Sequence, residues 1–227
     1  MDTLQILRGG LVVSCQPVDD GPMDQPDIVA AMAAAAVAGG AAGVRIEGVE
    51  NLRAARAAVD VPIIGIVKRD LNDSPVRITP FAEDVRALAG AGANIIAYDA
   101  TDRTRPEPAT VLISAILQAG RLAMADCATL ADGRRALADG AAILGTTLSG
   151  YTDETAGRGD VVDTDLIAAF HDLNVFVMAE GRLNTPGRAA AAMAAGADAV
   201  TVGTALTRLE HMTTWFRDAV ADGFTRR

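Results

Sequence analysis

A lysine, Lys68, follows the apolar run Ile63-Ile64-Gly65-Ile66-Val67 directly, a placement that carries an amine out of a buried strand into whatever space lies beyond it. Partial loss of solvent and neighbouring cations such as Arg45 would disfavour the ammonium form. The amine's pKa would then fall from about 10.4 toward the range where it can take a proton near neutrality. Glu180 ends another apolar run four runs further along. If eight such runs close on themselves, Lys68 and Glu180 face one another from opposite walls. That geometry suits inversion of a carbon, in which a proton leaves one face and another returns to the opposite face. The alternative for Glu180 is an ion pair with Arg45 or Lys68. Asp126 and Asp99 end two further runs and would order Lys68 or hold hydroxyl groups of a ligand, a structural task being equally open for Asp99. Near the end of the chain, Val200-Thr201-Val202-Gly203-Thr204 leads into a short helix-like stretch. Backbone N–H groups there, at Gly203 and Thr204, can receive a phosphate, with Arg208 or Arg182 as a charged clamp.

These residues need a scaffold that gathers strand ends. Eight apolar or β-branched runs fit that description: Leu11–Cys15, Gly43–Glu47, Ile63–Lys68, Asn94–Asp99, Leu122–Asp126, Ala142–Thr146, Val175–Glu180 and Ala199–Gly203. Alanine-rich helical stretches alternate with them. Three start signals stand out: Thr79-Pro80, Thr129 with Asp132 three residues on, and Thr185-Pro186. Eight strand-helix repeats predict a single-domain (β/α)8 TIM barrel over residues 1–227, with residues 1–9 as an N-terminal helix closing the bottom and 10–227 as the barrel. An open doubly wound sheet is disfavoured because no G-x-G-x-x-G pattern follows the first strand. The segment Asp153 to Asp163 matches no pattern and reads as a surface loop.

Composition narrows the chemistry. The chain has 227 residues, half of them apolar, enough for one core. No apolar stretch is long enough to span a bilayer and no charged-then-apolar leader precedes the first strand, so a cytoplasmic protein is expected. A net charge of −9 without a basic run argues against nucleic acid or anionic membranes as partners and requires a local positive pocket for any anionic ligand. Cys15 and Cys127 have no metal-site spacing and no histidine base in the mouth to activate them, and are expected to be reduced packing residues. His171 and His211 fall in helical stretches. No metal is expected, an all-carboxylate site from Asp99, Asp126 and Glu180 being the weaker alternative, and no cofactor.

Six strings then read together: Val12-Val13-Ser14-Cys15-Gln16-Pro17, Gly43-Val44-Arg45-Ile46-Glu47-Gly48, Ile64-Gly65-Ile66-Val67-Lys68-Arg69-Asp70, Ala125-Asp126-Cys127, Gly145-Thr146-Thr147-Leu148-Ser149-Gly150-Tyr151 and Ala179-Glu180-Gly181-Arg182. In order and over nearly the whole chain, they resemble the N-acetylmannosamine-6-phosphate 2-epimerases. The resemblance implies an isomerase that interconverts N-acetylmannosamine 6-phosphate and N-acetylglucosamine 6-phosphate in bacterial amino-sugar and sialic-acid degradation, as a homodimer. It implies Lys68 as the proton-transfer residue at C2, Gln16, Arg45 and Glu180 around the reacting centre, and Asp126 and Arg208 on the sugar and its phosphate. The sequence departs from the family pattern at Leu71, Ala128 and Leu183, none of which replaces a candidate catalytic group, so the departures bear on rim contacts and not on the reaction. Proton transfer and phosphate binding follow from the residues themselves, whereas the identity of the sugar follows from the resemblance alone. Two rival readings are a Schiff-base aldolase using Lys68 and a non-catalytic sugar-phosphate-binding barrel.

Overall fold

The computed structural model describes residues 2–226. Eight parallel strands close into a barrel in chain order, each paired with its sequence neighbours and the last with the first. The elements are α1 (Thr3–Leu7), β1 (Leu11–Cys15), α2 (Pro26–Ala38), β2 (Gly43–Glu47), α3 (Val49–Ala58), β3 (Ile63–Ile66), α4 (Ala82–Gly90), β4 (Ile95–Asp99) and α5 (Ala109–Gln118). They continue as β5 (Leu122–Asp126), α6 (Leu130–Asp139), β6 (Ile143–Gly145), α7 (Thr164–His171), β7 (Phe176–Glu180), α8 (Pro186–Ala194), β8 (Ala199–Val202), α9 (Thr204–Thr207) and α10 (Leu209–Thr225). The (β/α)8 barrel expected from eight alternating runs is therefore the observed fold.

Side chains alternate across each strand, and this alternation makes two cores. Val12, Ile64, Ile66, Ile95, Ala97, Met124, Ile143, Phe176, Met178 and Ala199 fill the barrel, and Leu7 of α1 joins the same cluster. Val44, Ile46, Ile63, Ile96, Tyr98, Leu144, Val177 and Val200 point outward against Leu52, Leu88, Leu112, Ile116 and Phe170 of the helices. Gly65 belongs to the outward set: a methyl group there would lie 2.6 Å from Leu52 Cδ1, so the α3 helix packs on the strand backbone itself.

Local signals account for most helix starts. Thr129 accepts the Asp132 N–H while Asp132 returns a bond to the Thr129 N–H, a reciprocal capping box opening α6. Thr185 caps α8 with Pro186 in its first turn. Thr79-Pro80 does something else. α4 begins at Ala82 after Phe81, and Thr79, held in a left-handed backbone (φ 45°), places its hydroxyl on the Ala97 carbonyl instead of capping the helix. The 153–163 segment carries a single 3-10 turn at Ala156–Arg158. It is tied down by Asp163, which caps α7, accepts from Ser149 Oγ at 2.5 Å and pairs with Arg158. Among the described residues, no helix is long and apolar enough to cross a membrane.

Candidate active site

The period-two alternation that fills the barrel also builds its mouth. Continuing the inward parity past the apolar layer gives Ser14, Arg45, Lys68, Asp99, Asp126, Thr147, Glu180 and Thr201. All of these except Asp126 line a cavity of about 440 Å³ at the carboxyl end of the strands. Gln16, Arg182, Gly203, Thr204 and Arg208, the remaining residues picked out by sequence, line the same cavity. Asp126 sits just beneath, fully buried.

Arg45 is the hub. Only 1 % exposed, it donates from one terminal nitrogen to Asp126 Oδ2 at 2.6 Å and from the other to Glu180 Oε2 at 2.7 Å. Burial alone would lower the guanidinium's proton affinity, but the two carboxylates more than reverse this and lock the charge in place. Glu180 is thus an ion-pair partner, and it is also perturbed. Burial pushes its carboxyl up to about 7, with Asp126 adding to the rise and Arg45, Lys68 and Thr147 opposing it. A carboxyl near half-protonation at neutral pH can both give and take a proton. Thr147 completes the cluster by donating to Asp126 Oδ1 at 2.6 Å.

Lys68 does not extend β3. That strand stops at Ile66, and Lys68 pairs instead, antiparallel, with Ile78. The chain at Ile78 inserts between Lys68 and β4, where the Asp99 N–H donates to the Ile78 carbonyl. The Lys68 N–H donates to Glu47 Oε1 at 3.1 Å, while among the described residues its side-chain amine has no hydrogen-bond partner. Burial lowers the pKa of that amine and the Arg208 guanidinium lowers it further, with a smaller push from Arg45. Asp19 and Glu47 act the other way. Arg208, and not the Arg45 expected from sequence, is the stronger perturbing cation. Asp126 and Asp99 do not hold Lys68: Asp126 binds Arg45, and Asp99 is occupied by Arg103 and Thr101 at 2.5 and 2.6 Å.

The β8 side of the mouth is open and cationic. Gly203 lies where a side chain would meet Ser14 Cβ at 3.2 Å, so the start of α9 runs against the end of β1. Arg208 is tied by its Nε to the Gln16 carbonyl at 3.1 Å, and Gln16 in turn donates to Ser14 Oγ at 2.6 Å. Arg182 is more committed. It donates to the Ser149 and Gly150 carbonyls and stacks 4.2 Å from the Tyr151 ring, an arrangement that shapes the rim. Thr201 and Thr147 escaped the sequence reading, although their inward parity could have found them; the Thr201 hydroxyl is buried without a hydrogen-bond partner among the described residues. Cys15 and Cys127 are buried on the outer side of the strands, and burial raises both thiols, Cys15 to about 12, so both pack rather than react.

Fold and mouth together define a class: a (β/α)8-barrel enzyme whose strand ends gather an amine, a raised carboxyl and a buried arginine, with cations about the β8 side. Residues 29–222 match the family model described as "Putative N-acetylmannosamine-6-phosphate epimerase". A 2-epimerase relative under that description from Proteus mirabilis is 57 % identical over 213 residues, covering 94 % of this chain and 91 % of its own. One from Haemophilus ducreyi is 58 % identical over 220 residues, covering 96 % and 95 %. The structure of the N-acetylmannosamine-6-phosphate 2-epimerase from Clostridium perfringens superposes with a TM-score of 0.93 at 39 % identity, covering 96 % of each chain. The chain belongs to the N-acetylmannosamine-6-phosphate epimerase family.

Proposed function

We propose that this protein inverts C2 of N-acetylmannosamine 6-phosphate to give N-acetylglucosamine 6-phosphate. The hydrogen on C2 becomes acidic once the ring opens to an aldehyde at C1, because the electrons left behind delocalise onto the carbonyl oxygen. Lys68 removes that proton. The Arg45 guanidinium, fixed by Asp126 and Glu180 before substrate arrives, stabilises the developing oxyanion. Glu180 manages the second proton transfer that the reaction needs. Arg208 and the Gly203-Thr204 backbone receive the phosphate, Gln16 holds the sugar end of the site, Asp126, expected from sequence to contact the sugar, instead orients Arg45 from beneath the cavity, and Arg182 closes the rim. The observation that carries this reading is the half-buried amine of Lys68, unpaired and depressed in pKa, in one mouth with a carboxyl raised to about 7. Purified protein should convert either sugar phosphate into the other until both approach one equilibrium ratio. Cleavage to smaller carbonyl compounds, or a borohydride-trapped adduct on Lys68, would replace this reading with an aldolase. Binding without turnover would replace it with a sensor.

Glu180 gives this proposal a pH signature. Its raised carboxyl predicts an inflection near pH 7 in kcat/KM, and this inflection should be absent from Glu180→Gln. The same variant assigns the second proton. If C2 of the manno sugar still exchanges with solvent while no epimer forms, Glu180 serves the far face of C2. If exchange is lost as well, it serves ring opening. A wild-type profile flat between pH 6 and 8 would contradict either role.

The protein is further proposed to work in the cytoplasm, where its two unpaired thiols stay reduced, and as a homodimer. Support for the dimer comes from α10, a 17-residue helix with no buried residue. Leu209, Phe216 and Val220 of this helix are 62–71 % exposed, an apolar stripe that a helix meeting only water would not carry. Sedimentation at micromolar concentration should give a dimer, and Phe216→Glu with Val220→Glu should shift it toward monomer. A monomeric wild type would contradict this.

A further inference from the structure

Lys68 hangs from a loop two residues beyond its strand, so its position must be set by whatever fixes that loop. The chain leaves at Lys68, runs out through 69–77 and returns at Ile78. Two backbone bonds flank the crossing: the Arg69 N–H donates to the Arg77 carbonyl at 3.0 Å, and the Thr79 N–H donates to the Val67 carbonyl at 2.7 Å. Thr79 is the base of this excursion. It is fully buried, and its φ of 45° is a left-handed conformation that a β-branched residue rarely accepts. Such strain persists where the surroundings over-determine it. Here the hydroxyl supplies the constraint: it donates to the Ala97 carbonyl of β4 at 2.7 Å and accepts the Val67 N–H at 3.4 Å. One side chain thereby ties the residue before Lys68 to the neighbouring strand, across the gap that the returning chain fills.

We propose that Thr79 is a positioning residue for Lys68, its hydroxyl and left-handed backbone together pinning the Val67 end of the loop to β4 so that the amine is held over the barrel mouth. This rests on the reading of Lys68 as the C2 base. Thr79 touches no part of the mouth itself and acts only through the loop, so its loss should be felt in the chemical step and not in binding.

Three variants, assayed as epimerases with N-acetylmannosamine 6-phosphate, separate the hydroxyl from the backbone. Thr79→Ser keeps the hydroxyl and should keep kcat within about 3-fold. Thr79→Val removes the hydroxyl at constant shape, and Thr79→Gly removes it while accepting the left-handed backbone without strain. Both should lose kcat by roughly 10- to 100-fold with KM little changed, the scale expected for misplacing a reacting group by about 1 Å. If Thr79→Val does not fold, Thr79→Gly carries the test. A folded Thr79→Gly with wild-type kcat, an equal loss in the serine variant, or a loss confined to KM would each overturn the proposal. Lys68→Ala measured alongside distinguishes the two levels. Normal turnover by that variant sinks the assignment of the base, whereas an inactive Lys68→Ala beside a fully active Thr79→Gly sinks the positioning role alone.

Discussion

Replacing Lys68 with alanine should lower the rate of C2 inversion by roughly 10²- to 10⁴-fold, the usual contribution of a positioned general base. The fold should not suffer. Burial and the Arg208 charge depress the amine's pKa, which means that the folded state disfavours the ammonium form; deleting it removes a mild liability at neutral pH. The thermal midpoint of Lys68→Ala at pH 7 should therefore equal or exceed that of the wild type, while turnover, followed by the growth of the gluco epimer, nearly stops. A variant that keeps a tenth of wild-type activity, or one that loses activity because it unfolds, would contradict this account.

Arg45 is expected to matter for both stability and rate. Arg45→Met leaves Asp126 and Glu180 facing each other without their cation, inside a site where the arginine side chain is 1 % and the Asp126 side chain 0 % exposed. Breaking a buried pair by removing one partner typically costs about 3–5 kcal/mol. Loss of one fixed donor at a developing oxyanion lowers kcat by about 10²–10³-fold. The stability loss should depend on pH, and its sign follows from Glu180. The folded carboxyl already titrates about 7, above the ordinary carboxylate value of 4.5, and Arg45 is a group that holds it down. Without the arginine it rises further. A carboxyl whose folded pKa is raised binds its proton in the folded state first, so stability increases as pH falls through the folded value and levels off below the unfolded one. Urea unfolding of Arg45→Met should thus show a larger deficit against the wild type at pH 8 than at pH 5.5. Equal deficits at both pH values would mean that the charge on Glu180 is not what the arginine compensates.

The barrel was legible because two periodicities agree along the chain: apolar runs of five or six residues, and alternation within them that puts Ile64 and Ile66 on one side and Ile63 and Gly65 on the other. Parity and strand end together were enough to bring Arg45, Asp126 and Glu180 into one place. What parity could not convey was partnership. Asp126, Asp99 and Glu180 are all carboxylates at strand ends, yet Asp126 and Glu180 share Arg45 while Asp99 is taken by Arg103, a residue of its own loop. Such pairings depend on the reach of side chains from different strands and leave no mark in local sequence. Thr79-Pro80 misled for a related reason. Threonine before proline has the composition of a helix cap, but the same hydroxyl found a stronger use on the Ala97 carbonyl once β3 and β4 were brought together. The apolar stripe of α10 was equally hard to see, since only its failure to pack on the barrel distinguishes it from the alanine-rich helices that do.

The central claim is that C2 is inverted through loss and return of its proton, and a one-dimensional proton NMR time course of N-acetylmannosamine 6-phosphate with the wild-type protein in D2O tests it most directly. Signals of the gluco epimer should appear without their C2 proton, solvent deuterium having taken its place from the exchangeable group that protonates the face opposite Lys68. A gluco epimer that retains the full C2 proton signal would contradict it.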